Sequence, residues 1–182
     1  MPVALSIIPT GLKEAEKILN AANRSFPKVA RDAILRSLKH GRTVADRSIR
    51  ERYAIKQGDV LKQIKVEMEG NLEGTLESKG PMLPVSMFSP KQRKKRGSPV
   101  TVEILKGKRK ELKGPKFMKG TKVMERRQAE RYPIFPVSTA GIPLMTSAPE
   151  VSKKILSSMQ KYAAARLEAN VQRALEGKAF SI

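Results

Sequence analysis

The chain has 182 residues, with 37 Lys and Arg against 17 Asp and Glu, one His, and no Cys or Trp, for a formal net charge of +20. The missing cysteines exclude a disulfide framework, a thiolate metal site and a cysteine nucleophile, and the lone His40 excludes a polyhistidine site. The length fits one domain whose modest core rests on Val, Ile, Leu, Met and Ala, because only 4% of residues are aromatic, and the charge calls for a negatively charged partner.

Residues 1–9 are expected to form an extended arm, because Pro2 and Pro9 each disfavour helix in the residue before them. Its apolar Val3, Leu5, Ile7 and Ile8 follow no basic region, so a signal peptide is not expected, and the unpaired arm could add to a neighbour's sheet or groove. Residues 10–182 are expected to form a single α+β domain. Thr10 caps a helix over 11–22, with Leu12, Ala15, Ile18 or Leu19, and Ala22 on one stripe. Ser25 as N-cap and Pro27 in the first turn open a long second helix over 27–53. Ala30, Ile34, Leu38, Gly41, Ala45, Ile49 and Tyr53 recur on it at spacings of three and four. Arg31, Lys39, Arg42, Arg47 and Arg50 line its outer face, which reads as solvated.

Beyond Gly58-Asp59 the period changes to two. Ile64, Val66 and Met68 alternate with Lys65, Glu67 and Glu69, and after a turn at Gly70-Asn71 the alternation resumes at Leu72, Gly74, Leu76 and Ser78, which predicts a hairpin. A small antiparallel sheet is expected over 62–145. Pro81, Pro84 and Pro90 confine Met82 to Phe88 to an edge strand or an ordered loop. Val100, Val102 and Ile104 form a further strand, followed by a turn at Gly107-Lys108. Phe117, Lys119, Thr121 and Val123 supply a short strand, and Pro133, Pro136 and Pro143 keep Tyr132 to Leu144 extended. A last helix over 150–176 carries Val151, Ile155, Met159, Ala163, Leu167, Val171 and Ala174 or Leu175 on one stripe and ends at Gly177.

No catalytic constellation emerges. Asp32, Asp46 and Asp59 all precede the sheet, and His40 beside Lys39 and Arg42 reads as a surface residue. Glu67, Glu69, Glu73 and Glu77, spaced by two or four, read as a polar strand face rather than a metal cluster. There is no phosphate-binding loop ending in Gly-Lys-Ser/Thr. An enzyme is not expected, nor a cofactor or metal. No apolar run approaches the roughly 20 residues of a membrane span, so a soluble protein made in the cytoplasm, with no membrane partner, is expected.

The strongest signal is the stretch from Lys91 to Arg131, with sixteen Lys and Arg against four Glu, a net +12. Lys91, Arg93, Lys94, Lys95 and Arg96 belong to a segment without a hydrophobic residue that reads as an exposed loop, and Lys106, Lys108, Arg109 and Lys110 follow. Such residues bind phosphates through charge and counterion release and need no sequence code. With no aromatic interleaved in the loop, base stacking is not expected. Two partners stay open: a nucleic-acid backbone, or an acidic protein neighbour.

Through Phe88, Phe117, Arg131-Tyr132-Pro133-Ile134 and Gly141-Ile142-Pro143-Leu144-Met145, the sequence resembles the prophage minor tail protein Z family of long-tailed phages. The match runs in order and composition from about Leu12 to Leu175. It departs at Ser138-Thr139-Ala140-Gly141, where relatives often carry Gly-Pro, and at Gly114-Pro115-Lys116-Phe117. The resemblance implies a tail completion protein of the virion, placed at the head-proximal end of the tail tube, that makes the tail competent for head joining. It implies a homo-oligomeric ring or collar, sixfold or threefold, beside tail terminator and tail tube or neck proteins and the genome DNA end. The reading from another class is a cellular RNA- or DNA-binding protein.

Overall fold

In the computed structural model, residues 2–7, 9–21, 26–70, 72–93, 97–128 and 130–176 are described. A first strand, β1 (Val3–Ser6), leads to helices α1 (Leu12–Ala21), α2 (Phe26–Arg52) and α3 (Gln57–Leu61), then to the hairpin of β2 (Ile64–Glu69) and β3 (Glu73–Ser78). Short strands β4 (Leu83–Pro84) and β5 (Lys91–Gln92) flank a 3-10 turn at Val85–Met87. Then come β6 (Val100–Leu105), β7 (Lys108–Glu111), β8 (Lys116–Lys119), β9 (Lys122–Arg126), β10 (Ile134–Pro136) and β11 (Ser138–Thr139), before helices α4 (Ile142–Thr146) and α5 (Pro149–Leu175). The fold is α+β.

The centre of the molecule is α2, which packs antiparallel to α5 on one side and against β2 and β3 on the other. The apolar stripes dictate this: Ala30, Ile34, Leu38, Gly41, Ala45 and Ile49 on α2 are buried, as are Val151, Ile155, Met159, Ala163, Leu167 and Ala174 on α5. Tyr53 and Val171 are half-buried, and Leu175 is exposed. Gly41 marks the closest approach. A Cβ at that position would lie 2.4 Å from Met159 Sδ, so the missing side chain is what seats the methionine against the α2 backbone. Ser37 Oγ donates to the Met159 carbonyl at 2.9 Å in the same buried seam.

Polar pairs fix the register at either end. At one end Arg52 pairs with Glu150, and Lys154 with Glu51 at 2.7 Å. At the other, Asp32 accepts from Arg36 at 2.8 Å and from the buried Asn170 amide at 2.9 Å, with Arg166 at 3.7 Å. Burial alone would raise the Asp32 pKa, but the hydrogen bonds from Arg36 and Asn170 and the two guanidinium charges outweigh it and hold the carboxyl below its ordinary value of 3.8. The buried Asp46 takes both nitrogens of Arg50, at 2.9 and 3.0 Å, so this arginine of the expected solvated face is partly a core brace.

Several expectations are corrected. The arm is not unpaired: β1 lies antiparallel to β3, with Leu5 opposite Leu76, and Ile7 is buried, so residues 3–7 belong to the domain's own sheet. The single sheet is four small ones, ordered β1-β3-β2, β5-β6-β7, β10-β9-β8 and β11-β4, all antiparallel. Prolines 81, 84, 90 and 115 lack the N–H a ladder needs and cut the strands short. The strand expected over Phe117 to Val123 is the β8–β9 hairpin, reversed at Gly120, whose φ of +63° lies in the left-handed region. Residues 57–61 are helical where only a turn was expected. Residues 142–146 are helical where an extended segment was expected, with Pro143 tolerated in the first turn. Ala22, Ser25, Asn71 and Gly177 lie outside the described residues.

Gly41→Ala should destabilise the protein. Helix propensity gains about 1 kcal/mol, overpacking against Met159 costs about 1–3 kcal/mol, and a net loss of up to about 2 kcal/mol is expected by urea melts. Combined with Met159→Ala, the loss should fall short of the sum of the two singles. Asp32 contributes stability above its unfolded pKa that is lost as pH falls through its lowered folded pKa. Asp32→Asn should therefore be less stable than the parent at neutral pH, with the gap closing below about pH 4.

Candidate functional site

The cationic stretch folds as two small sheets, β5-β6-β7 and β10-β9-β8, around a core of Val85, Val100, Val102, Val123 and Val137. Strand alternation turns Val100 and Val102 inward and leaves Thr101 and Glu103 on the other face of β6. Edge strand β7 is exposed at all four residues, Lys108, Arg109, Lys110 and Glu111. Charged side chains on an edge strand oppose edge-to-edge pairing with other sheets.

The hairpin is bolted to the end of α2. Leu105 bridges Tyr53, Lys106 N–H donates to the Arg52 carbonyl at 2.9 Å, and Ala54 N–H donates to the Ile104 carbonyl at 3.0 Å. Lys91, Arg93, Lys106, Lys108 and Lys110 are exposed, and among the described residues none of them forms an ion pair. Arg109 differs. Its guanidinium donates to the Ser89 carbonyl at 3.0 Å and approaches Glu103 at 3.4 Å, so it braces the hairpin instead of standing free. Ser89 takes a φ of +47°, uncommon for a residue with a side chain, and its carbonyl faces this arginine.

The expected loop at 91–96 is corrected at its start, because Lys91 and Gln92 pair with Thr101 and Val100 as β5. Lys94, Lys95 and Arg96 lie outside the described residues. Gln92, which the sequence did not single out, ties β5 to Ser98 and to β8. Its amide nitrogen donates to the Ser98 carbonyl at 2.7 Å, and its amide oxygen accepts from Met118 N–H of β8 at 2.9 Å. A polar residue inside a run of cations carries no periodic signal, and only the fold reveals both bonds. Lys91, Arg93, Ser98, Arg109 and Glu111 surround an open cleft of about 550 Å³ beside it.

The second sheet carries its cations differently. Arg126 lies 4.5 Å over the Phe117 ring, Arg127 4.6 Å over Phe135, and Arg131 5.9 Å over Tyr132. Glu125 takes Arg127 at 2.8 Å and Lys116 at 3.6 Å, and these contacts, Arg127 foremost, hold its carboxyl below the usual range. Each of the three rings has an arginine over one face.

The signature residues fall in two environments. Phe88 is fully buried in the main core, Gly141 and Pro143 are buried, and Ile134 and Phe117 are half-buried. Arg131, Tyr132 and Pro133 are exposed, with a cis bond between Tyr132 and Pro133. His40 is not a plain surface residue. It sits half-buried in the α2–α5 seam, with Nε2 3.0 Å from Ser158 Oγ and the ring stacked 4.4 Å from Tyr162. Among the described residues no three His, Asp or Glu side chains are grouped to hold a metal ion, and no helix is long and apolar enough to cross a membrane. What the site can do chemically is neutralise a polyanion.

Compared with protein-family models, curated proteins and solved structures, the chain matches none. Gln92→Ala should speed hydrogen exchange at the Met118 amide and around Ser98, while leaving the α2 and α5 amides unchanged.

Proposed function

We propose that the chain is a structural subunit of a long-tailed phage virion, a tail completion protein at the head-proximal end of the tail tube that makes the tail competent for head joining. The observation that carries this reading is a set of exposed cations that form no ion pair among the described residues, Lys91, Arg93, Lys106, Lys108 and Lys110, on the β5-β6-β7 sheet, whose β6–β7 hairpin is hydrogen-bonded to the end of α2. Rigid presentation matters, because repetition of such a patch around a ring produces a continuous positive belt. The sequence resemblance, through Phe88, Phe117, the 131–134 segment and the 141–145 segment, supplies the setting. In that setting the belt faces either the leading end of the genome or the acidic wall of a neighbouring ring, and the chain performs no catalysis.

Replacing Lys91, Arg93, Lys94, Lys95 and Arg96 together with Ser should leave the fold intact by circular dichroism and abolish the joining of tails to filled heads. Unchanged joining and infectivity would remove the role. Antibody labelling of purified particles should place the chain at the head–tail junction.

The same uncovered cations favour a second reading, a cellular RNA- or DNA-binding protein. A binder of that kind holds free nucleic acid tightly at low salt, with a log–log salt slope of about −0.9 per phosphate neutralised on duplex DNA. A tail subunit should show weak, sequence-blind binding. Absence of the chain from particles together with a steep slope would favour the second reading.

A further inference from the structure

The molecule carries a second charged surface, of the opposite sign. The outer face of the β1-β3-β2 sheet is built by strand alternation: Ile64, Leu76 and Ser78 turn to the core, and Glu67, Glu69, Glu73 and Glu77 turn away from it. Lys65 is the one cation of β2 and β3, so the side chains of these two strands, which hold four of the seventeen acidic residues of a +20 chain, sum to −3, with Lys39 and Arg42 of α2 beside Glu67 at the β2 border. None of these four carboxylates forms an ion pair with a described residue, although several other acids of the chain do. The lysines of β7 are likewise unpaired. A chain with 37 cations has ample means to neutralise four glutamates, yet the fold keeps this face and the hairpin on separate sheets.

We infer that copies of this chain associate head to tail, the acidic face around β2 of one copy receiving the β7 edge of the next. The charges match in period as well as sign. Glu67 and Glu69 on β2, and Lys108 and Lys110 on β7, are each two residues apart on an extended strand, about 7 Å along the backbone. Lys106 at the adjoining turn extends the cationic row. Two different patches of one chain form the contact, so it is heterologous, the kind that closes into a ring or runs on as a filament. Repulsion between two +20 chains does not forbid it. At physiological ionic strength the Debye length of about 8 Å confines that repulsion, while the facing strands interact at contact.

This inference rests on the charge layout and not on the proposed virion role; its lysines, 106, 108 and 110, are among the cations of that role, but none is among the 91–96 residues by which the role is tested. The test uses two full-length variants: Glu67→Gln with Glu69→Gln, Glu73→Gln and Glu77→Gln, which keeps only the cationic edge, and Lys106→Gln with Lys108→Gln and Lys110→Gln, which keeps only the acidic face. All substituted positions are exposed except Glu77, which is half-buried on the outer face of the central strand, and circular dichroism checks that both variants fold. By light scattering behind size exclusion at physiological salt, the parent should exceed the mass of one chain and return to it in high salt. Each variant alone should be a monomer. An equal mixture of the two should form a species of twice the chain mass and no larger, because exactly one intact contact remains between them. A monomeric parent at physiological salt, assembly that survives in either variant, or a mixture that stays monomeric would each overturn the inference. Failure of the 91–96 Ser variant in tail joining has no bearing on these masses, so the two readings fail separately.

Discussion

Everything else in this molecule is positioned by the seam between α2 and α5. Helix α2 is buried on two sides, by α5 and by the β2–β3 hairpin, and its own surface must serve both. Gly41 makes this possible on the α5 side by letting Met159 settle against the helix backbone. Buried polar pairs then select one register among the many that an aliphatic stripe tolerates. Asn170 with Asp32 near one end, and Ser37 with the Met159 carbonyl in the middle, have no partners if α5 slips by a turn. The β6–β7 hairpin inherits this precision, because it is hydrogen-bonded to Arg52 and Ala54 at the end of α2.

The cationic half is built on a much thinner support. Its core is five valines with Ile104, Leu112 and Met118 packed against them, which leaves most strand positions free to carry charge. Like charges at this density repel one another and weaken the domain that holds them. The second sheet moderates its own repulsion: Glu125 serves two cations, and three aromatic rings take arginines over their faces. The β5-β6-β7 sheet does so only through Arg109 and Glu103, and the remaining lysines wait for a counter-charge from elsewhere. The contrast between adjacent sheets, one largely self-neutralised and one not, directs the functional argument to β5–β7.

Helices α1, α2 and α5 and the β2–β3 hairpin were legible in the sequence because their apolar periods of 3.6 and 2 run long enough to declare themselves, whereas the five-residue α3 and α4 are too short to show a period. Residues with no periodic neighbours were not. The pairing of β1 with β3 is a long-range contact whose only local sign is four alternating residues between prolines. The β8–β9 hairpin hid because Phe117, Lys119, Thr121 and Val123 keep a period of two across the turn, so Gly120 alone signalled the reversal. At the candidate site, the cations were visible as composition, but which of them are free was not. Arg109, Arg50 and Arg42 look like their neighbours in sequence, yet one braces Ser89, one fills the charge of a buried Asp46, and one donates to the Leu61 carbonyl at 2.8 Å.

Separating the free cations from the committed ones also divides the hairpin into two working sides. The β7 edge presents Lys108 and Lys110 two residues apart on an exposed strand, opposite a register shift in β6, and suits a protein strand carrying carboxylates at a similar spacing. The β5 side presents Lys91 and Arg93 beside an open cleft, tied through Gln92 to Ser98, and this geometry asks nothing of its partner except negative charge. A contact that occupies the first side leaves the second uncovered. A row of subunits joined through β7 and the acidic sheet would therefore still show Lys91 and Arg93 of each copy, repeated at the spacing of the subunits. The charge neutralised at the joints is that of Lys106, Lys108 and Lys110, and what is left for a polyanion is the charge of the β5 side, at Lys91 and Arg93. That division lets a strongly basic chain both assemble with itself and keep its function for another partner.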